Sequence, residues 1–81
     1  MRATENDLLD IIAKESIIDR KELVRDAKLT DLGIESLDII SILFEIEDRY
    51  GVVIPDADLP KVETLGEIAD FFLSRINQTA A

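Results

Sequence analysis

The sequence predicts an all-α fold, a small four-helix bundle of three longer helices and one short third helix, with a long connector between the first two. Three observations predict it. Apolar residues recur at three- and four-residue spacing in three separate stretches, around Leu8, Ile42 and Ile68. Each stretch begins at a residue able to cap a helix start, Thr4, Ser36 or Thr64. The one run with strand character, Val52-Val53-Ile54, has no second run to pair with. At 81 residues there is room for one core, so residues 1–81 are read as a single domain.

Thr4 is placed as the N-cap of the first helix, with Glu5 and Asp7 in the opening turn at the positive end of the helix dipole. Leu8, Ile11, Ile12 and Glu15 share a face and give that helix a core stripe of three apolar residues. From Ser16 to Thr30 the rhythm is broken, although Ile17, Ile18, Leu23, Val24 and Leu29 are still offered to a core. This is the connector, with a short helical turn around Arg20 to Arg25. The second helix runs from Ser36 to Tyr50 and stops at Gly51, which tolerates the left-handed conformation that ends helices. Ser36 is its N-cap or first residue.

Val52-Val53-Ile54 then crosses the core extended, and Pro55 keeps Ile54 out of the helical region. A short helical turn is assigned to Asp56–Lys61. The last helix opens on the capping box Thr64-Leu65-Gly66-Glu67. Leu65, Ile68, Ala69, Phe72 and Ile76 form its core face, with Phe71 and Leu73 beside it. Residues 77–81 are read as a flexible polar tail, in which the sequon Asn77-Gln78-Thr79 is accidental.

Composition excludes several functions. The chain has no His and no Cys, so it builds no Ser-His-Asp or Cys-His nucleophilic site, no disulfide and no thiolate metal site. It is therefore not read as an enzyme, and no metal site is assigned. Eighteen acidic residues face 9 basic ones, and a net charge of -9 repels nucleic acid and anionic lipid while favouring basic protein surfaces. No run approaches the ~18 apolar residues of a membrane span, and the start Met1-Arg2-Ala3-Thr4-Glu5-Asn6-Asp7 lacks the apolar core of a secretory signal. The chain reads as a cytoplasmic monomer.

Placing the second helix on a wheel at ~100° per residue separates two apolar patches. Ile39, Ile42, Leu43, Ile46 and Tyr50 form the wider one, which is the core face. Leu37, Ile40 and Phe44 form a narrower strip beside Ser36, turned away from the centre of the core stripe. Leu37 and Phe44 are read as exposed; Ile40 fits either packing against the connector or exposure. Between Leu29 and Asp48 stand Asp31, Glu35, Asp38, Glu45, Glu47 and Asp48, with no Lys or Arg. An apolar strip flanked by acids suits docking on a basic groove with an apolar seat.

The segment Asp31-Leu32-Gly33-Ile34-Glu35-Ser36-Leu37-Asp38 resembles the phosphopantetheine attachment motif of acyl carrier proteins, usually Asp-Leu-Gly, one variable residue, then Asp-Ser-Leu. The resemblance extends to the apolar-acidic second helix, the Tyr50-Gly51-Val52-Val53-Ile54-Pro55-Asp56 passage and the Thr64-Leu65 helix start. It implies that Ser36 carries 4'-phosphopantetheine, transferred from coenzyme A by a separate phosphopantetheinyl transferase. The terminal thiol would hold an acyl group for enzymes that load, transfer or elongate it in fatty acid, specialised lipid or polyketide synthesis.

It also implies acidic docking positions at Asp38, Glu47 and Asp48, apolar contacts at Leu37, Ile40 and Phe44, and a carboxylate before the serine that the modifying enzyme reads, here Glu35. Ile39, Leu43, Ile46, Ile54, Ile68 and Phe72 would line a pocket for an acyl chain, or simply fill the core. Glu35 in place of Asp and Ser41 at an often acidic position lean the reading towards a specialised pathway. The absence of a Gly-Gly-[His/Asp]-Ser arrangement argues against a peptidyl carrier, and the chain is read as free-standing.

Rival readings fare worse. A hydrolase elbow needs Gly-x-Ser-x-Gly, but Gly33-Ile34-Glu35-Ser36-Leu37 is followed by no second glycine, and there is no histidine. A calcium loop on Asp56, Asp58 and Glu67 fails because Lys61 occupies the glycine slot and Pro60 a ligand position. The runner-up is an unmodified acidic helical module that binds proteins through the same face.

Overall fold

The computed structural model describes residues 3–79. Among them the regular structure is three α-helices, α1 (Glu5–Ser16), α2 (Ser36–Tyr50) and α3 (Leu65–Thr79), with one 3₁₀ turn in each connection, at Arg20–Glu22 and Asp56–Asp58. The all-α expectation holds with one fewer helix. The short third helix expected over 56–61 is a single 3₁₀ turn, because Leu59, which precedes Pro60, is held extended at φ -63 and ψ 126 and the turn cannot propagate.

Each α-helix starts where a side chain satisfies an orphan backbone donor. At α1 the caps are reciprocal: the Asp7 N–H donates to Thr4 Oγ1 at 3.2 Å and the Thr4 N–H to Asp7 Oδ2 at 2.9 Å. At α3 the Glu67 carboxylate accepts from the Thr64 N–H at 3.1 Å, and the Glu67 N–H donates back to Thr64 Oγ1 at 3.4 Å. The hydrogen bonds from Thr64 hold the Glu67 carboxyl below its usual range. α2 ends at Gly51 with φ 68, as its sequence predicts. α1 ends differently, on Ile17 in the left-handed region at φ 55, while the Ile18 N–H closes back onto the Ala13 carbonyl at 3.1 Å.

α1 packs against both α2 and α3. Its buried face is Leu8, Leu9, Ile11 and Ile12, one residue wider than the expected stripe because Leu9 is wedged in as well. α2 contributes Ile42, Leu43 and Ile46, with Ile39 and Tyr50 half-buried, and α3 contributes Leu65, Ile68, Ala69, Phe72 and Ile76. These are the faces the periodicity assigns. Val52 and Ile54 point into the core while Val53 between them points out, the alternation of an extended segment; among the described residues it pairs with no strand.

The connector is ordered by bonds to the start of α3. The Leu65 N–H donates to the Ala27 carbonyl at 2.9 Å and the Gly66 N–H to the Arg25 carbonyl at 3.0 Å, while the Leu29 N–H donates to the Glu63 carbonyl at 2.9 Å. Leu23 and Leu29 are thereby held in the core, whereas Ile17 and Val24 stay exposed. Arg25 closes the arrangement, pairing with Glu5 of α1 and with Asp70 of α3, the latter at 2.6 Å. Gly66 leaves room for it: a Cβ there would sit 3.1 Å from the Arg25 side chain.

Helical structure extends into the segment read as a tail. α3 continues through Thr79, and Asn77 is tied to Ala3 in both directions, its Oδ1 accepting from the Ala3 N–H at 2.8 Å and its Nδ2 donating to the Ala3 carbonyl at 3.1 Å. The part of that expectation concerning residues 80 and 81 falls outside the described residues.

Candidate functional site

Ser36 is the first residue of α2 and is exposed; Glu35 is the N-cap, extended at φ -111 and ψ 176. The first intrahelical bond of α2 runs from the Ile39 N–H to the Glu35 carbonyl at 3.1 Å, so the N–H groups of Ser36 and Leu37 precede the ladder. A phosphoester on the Ser36 hydroxyl would therefore lie at the positive end of the helix dipole, where anions are favoured by about 0.3–1 kcal/mol. The Asp38 carboxylate caps the turn from within, its Oδ2 accepting from the Glu35 N–H at 2.9 Å. Upstream, the Ile34 N–H is fixed to the Leu29 carbonyl at 3.0 Å and Ile34 is buried, so the chain enters α2 from an anchored position.

Down α2 the narrow apolar strip is open to solvent. Leu37 is 75% and Phe44 66% exposed, while Ile40 is half-buried, between the two alternatives the wheel allows. Of the acids along the same helix, Glu45 is taken up internally: its Oε2 lies 2.5 Å from Arg49 Nε and 3.6 Å from Lys14 of α1. The hydrogen bond from Arg49 holds the Glu45 carboxyl below its usual range. Glu35, Glu47 and Asp48 are exposed and have no cationic partner among the described residues. Of the acids that sequence reasoning placed beside the strip, Glu45 is ion-paired and Asp38 accepts from the Glu35 N–H.

The residues expected to line an acyl pocket divide into three groups. Ile39 borders a cleft of about 220 Å³ beside Ser36, together with Ile40, Asp56 and Leu59. Leu43 and Ile54 line an adjoining open groove of about 280 Å³ together with Ile40, Phe44, Glu47, Val53 and Asp56, sharing Ile40 and Asp56 with the cleft. Ile46, Ile68 and Phe72 are closed into the core. Asp56, Leu59 and Val53 were missed as site residues. The alternation of Val52-Val53-Ile54 carries the signal for Val53, since period two turns it away from its buried neighbours. Among the described residues no group of three or more acids, His or Cys could hold a metal ion, and no helix is long and apolar enough to cross a membrane.

Comparison with known proteins places this geometry among relatives. The family model described as the phosphopantetheine attachment site matches residues 6–72. An acyl carrier protein of Lactobacillus johnsonii is 33% identical over 89% of this chain and 91% of its own length. One from Thermotoga maritima is 34% identical over 82% of this chain and 83% of its own. Among solved structures, the solution structure of the 3-oxo-butyl acyl carrier protein, an intermediate mimic from the actinorhodin polyketide synthase of Streptomyces coelicolor, superimposes with a TM-score of 0.77 at 25% identity, covering 98% of this chain and 96% of that one. The 3,7-dioxo-octyl actinorhodin acyl carrier protein gives 0.74 at 28% identity, covering 96% and 94%.

Proposed function

This chain belongs to the acyl carrier protein family, and on that premise we propose that Ser36 is its attachment residue and that α2 is the face its partner enzymes dock on. The protein is a carrier and not an enzyme, and 4'-phosphopantetheine is its prosthetic group. When bound, that group supplies the thiol that a chain without Cys lacks, and holds an acyl group on it as a thioester. The observation that carries the assignment to Ser36 is its position: an exposed hydroxyl on the first turn of α2, with exposed Leu37 next to it and, further along the helix, Glu47 and Asp48, which have no ion-pair partner among the described residues.

In the loading step Ser36 Oγ bonds to the phosphorus next to the pantetheine arm as the pyrophosphate bond of coenzyme A breaks. Adenosine 3',5'-bisphosphate leaves, and the hydroxyl proton passes to a base on the transferase. Glu35 and Asp38 shape the turn that presents Ser36; Leu37, Ile40 and Phe44 give an apolar contact, and Glu47 and Asp48 attract cationic surfaces. The partners are a phosphopantetheinyl transferase and the enzymes that load, transfer or elongate acyl groups in fatty acid, specialised lipid or polyketide synthesis. The carrier works as a cytoplasmic monomer. The cleft at Ile39 is the entry for the acyl chain, and a chain long enough to reach Ile46, Ile68 and Phe72 has to part packed helices.

The test is to incubate wild type and Ser36→Ala with coenzyme A and a broad-specificity phosphopantetheinyl transferase and to weigh both. One added phosphopantetheine on wild type alone supports the assignment. Addition to Ser36→Ala as well would contradict it.

A further inference from the structure

Between Ile17 and Glu35 the chain has no α-helix, yet it has to deliver Ser36 to a fixed place at the head of α2. It does so as a strap laid along the start of α3. The Arg25 and Ala27 carbonyls accept from the Gly66 and Leu65 N–H groups at 3.0 and 2.9 Å, and the Leu29 N–H donates to the Glu63 carbonyl at 2.9 Å. The Leu29 carbonyl then accepts from the Ile34 N–H at 3.0 Å, and buried Ile34 stands just before the Glu35–Ser36 pair that opens α2. Backbone bonds therefore lead, at every second residue, from Arg25 to Leu29, and from there to the entry of the helix.

Arg25 fastens the upstream end of this strap. Its Nη1 donates to Glu5 of α1 and, at 3.1 Å, to Asp70 Oδ1 of α3, while Nη2 donates to Asp70 Oδ2 at 2.6 Å. The side chain reaches Asp70 by lying over Gly66, where a Cβ would sit 3.1 Å from it. A single exposed ion pair adds little stability. A planar fork shared between two helices adds registration, because both acids have to keep their places for all three bonds to form.

We infer that Arg25 is a positioning residue for the transfer of phosphopantetheine: it does not meet the reacting atoms, and it acts by holding the strap that carries Ser36 into line. The inference rests on Ser36 being the attachment residue. The transferase works on the hydroxyl itself, so an error in where the chain enters α2 is felt directly at the reacting oxygen. The exposed side chains of α2 stay as they are when the strap loosens, so the loss falls on turnover and not on binding.

Transferase kinetics at saturating coenzyme A, with the carrier varied and at a temperature where circular dichroism shows each variant folded, test this. Arg25→Gln should lower kcat about 3–10-fold with KM unchanged. Amide exchange of Ile34 and Leu65 should quicken by a similar factor, while that of Ile46 inside α2 keeps its wild-type rate. Arg25→Lys keeps the charge without the fork, should fall between the two, and carries the same test if Arg25→Gln does not fold. Lys21→Gln, an equal change of charge on an exposed connector residue whose ion pair is with nearby Asp19, should leave both constants unchanged. An Arg25 that only stabilises would lower the thermal midpoint and leave kcat and Ile34 exchange at wild-type values, and that result overturns the inference. So does a rise in KM alone, which makes Arg25 a docking contact, or an equal loss in Lys21→Gln, which makes the effect one of net charge. A wild type that gains no phosphopantetheine overturns the Ser36 assignment and the inference with it.

Discussion

The Asp38 carboxylate accepts a hydrogen bond from the Glu35 N–H at 2.9 Å, so an acid of the proposed docking face also fixes the residue that leads into Ser36. Asp38 thus has two separable properties, its charge and its acceptor oxygen. Asn at this position keeps an acceptor and loses the charge, whereas Ala loses both. Asp38→Ala is expected to destabilise the protein by about 1 kcal/mol through the lost cap, and Asp38→Asn by less. With the transferase, Asp38→Asn should raise KM while keeping kcat, and Asp38→Ala should lower kcat as well. Equal kcat for the two variants would show that the cap does not position Ser36.

Ile17 sits in the left-handed region at φ 55, where a β-branched residue is strained, and its side chain is 92% exposed and so adds no packing in return. Ile17→Gly should stabilise the protein by about 0.5–1 kcal/mol after the entropic disadvantage of glycine is subtracted. Thermal unfolding followed by circular dichroism would register this as a rise of several degrees. An unchanged or lower midpoint would contradict the strain.

The Arg25–Asp70 pair predicts a pH signature. The hydrogen bond from Arg25 lowers the Asp70 pKa below its ordinary 3.8 in the folded state. A depressed folded pKa contributes stability that is present above the unfolded value and is lost as pH falls through the folded one. The difference in midpoint between wild type and Asp70→Asn should therefore be constant above about pH 5 and should close below pH 3.8. A difference that persists undiminished at pH 2 would show that Asp70 acts by something other than its charge.

The two apolar faces of α2 predict opposite behaviour for two phenylalanines. Phe72 of α3 is fully buried in the core, and Phe72→Ala should cost about 3–5 kcal/mol, a large part of the stability of a domain this small. Phe44→Ala should change stability by less than about 0.5 kcal/mol, since the ring is open to water. Its effect should appear in partner kinetics instead. A Phe44→Ala variant that unfolds readily would place Phe44 in the core.

Much of this was legible in the sequence because periodicity and capping point the same way. Leu65, Ile68, Ala69, Phe72 and Ile76 are the buried face of α3 as their spacing predicts, and Ser36 to Gly51 bounds α2 at both ends. What escaped was non-local or against local preference. The end of α1 falls on Ile17, a residue type that signals no helix stop, so its cap geometry could not be read. The order of 77–79 depends on Asn77 meeting Ala3, across nearly the whole chain. The groove at Val53 exists because α2 and the extended crossing are brought side by side, and no pattern within either one encodes that juxtaposition.

The central claim is that Ser36, and no other hydroxyl, is the attachment point. Trypsin releases it on the peptide Leu29–Arg49, which also contains Thr30 and Ser41. Fragmenting that peptide from transferase-treated protein locates the modification directly. The account predicts phosphopantetheine on Ser36, with Thr30 and Ser41 bare. Phosphopantetheine on Ser41 or Thr30, or a peptide that remains unmodified while wild-type protein gains mass, would contradict it.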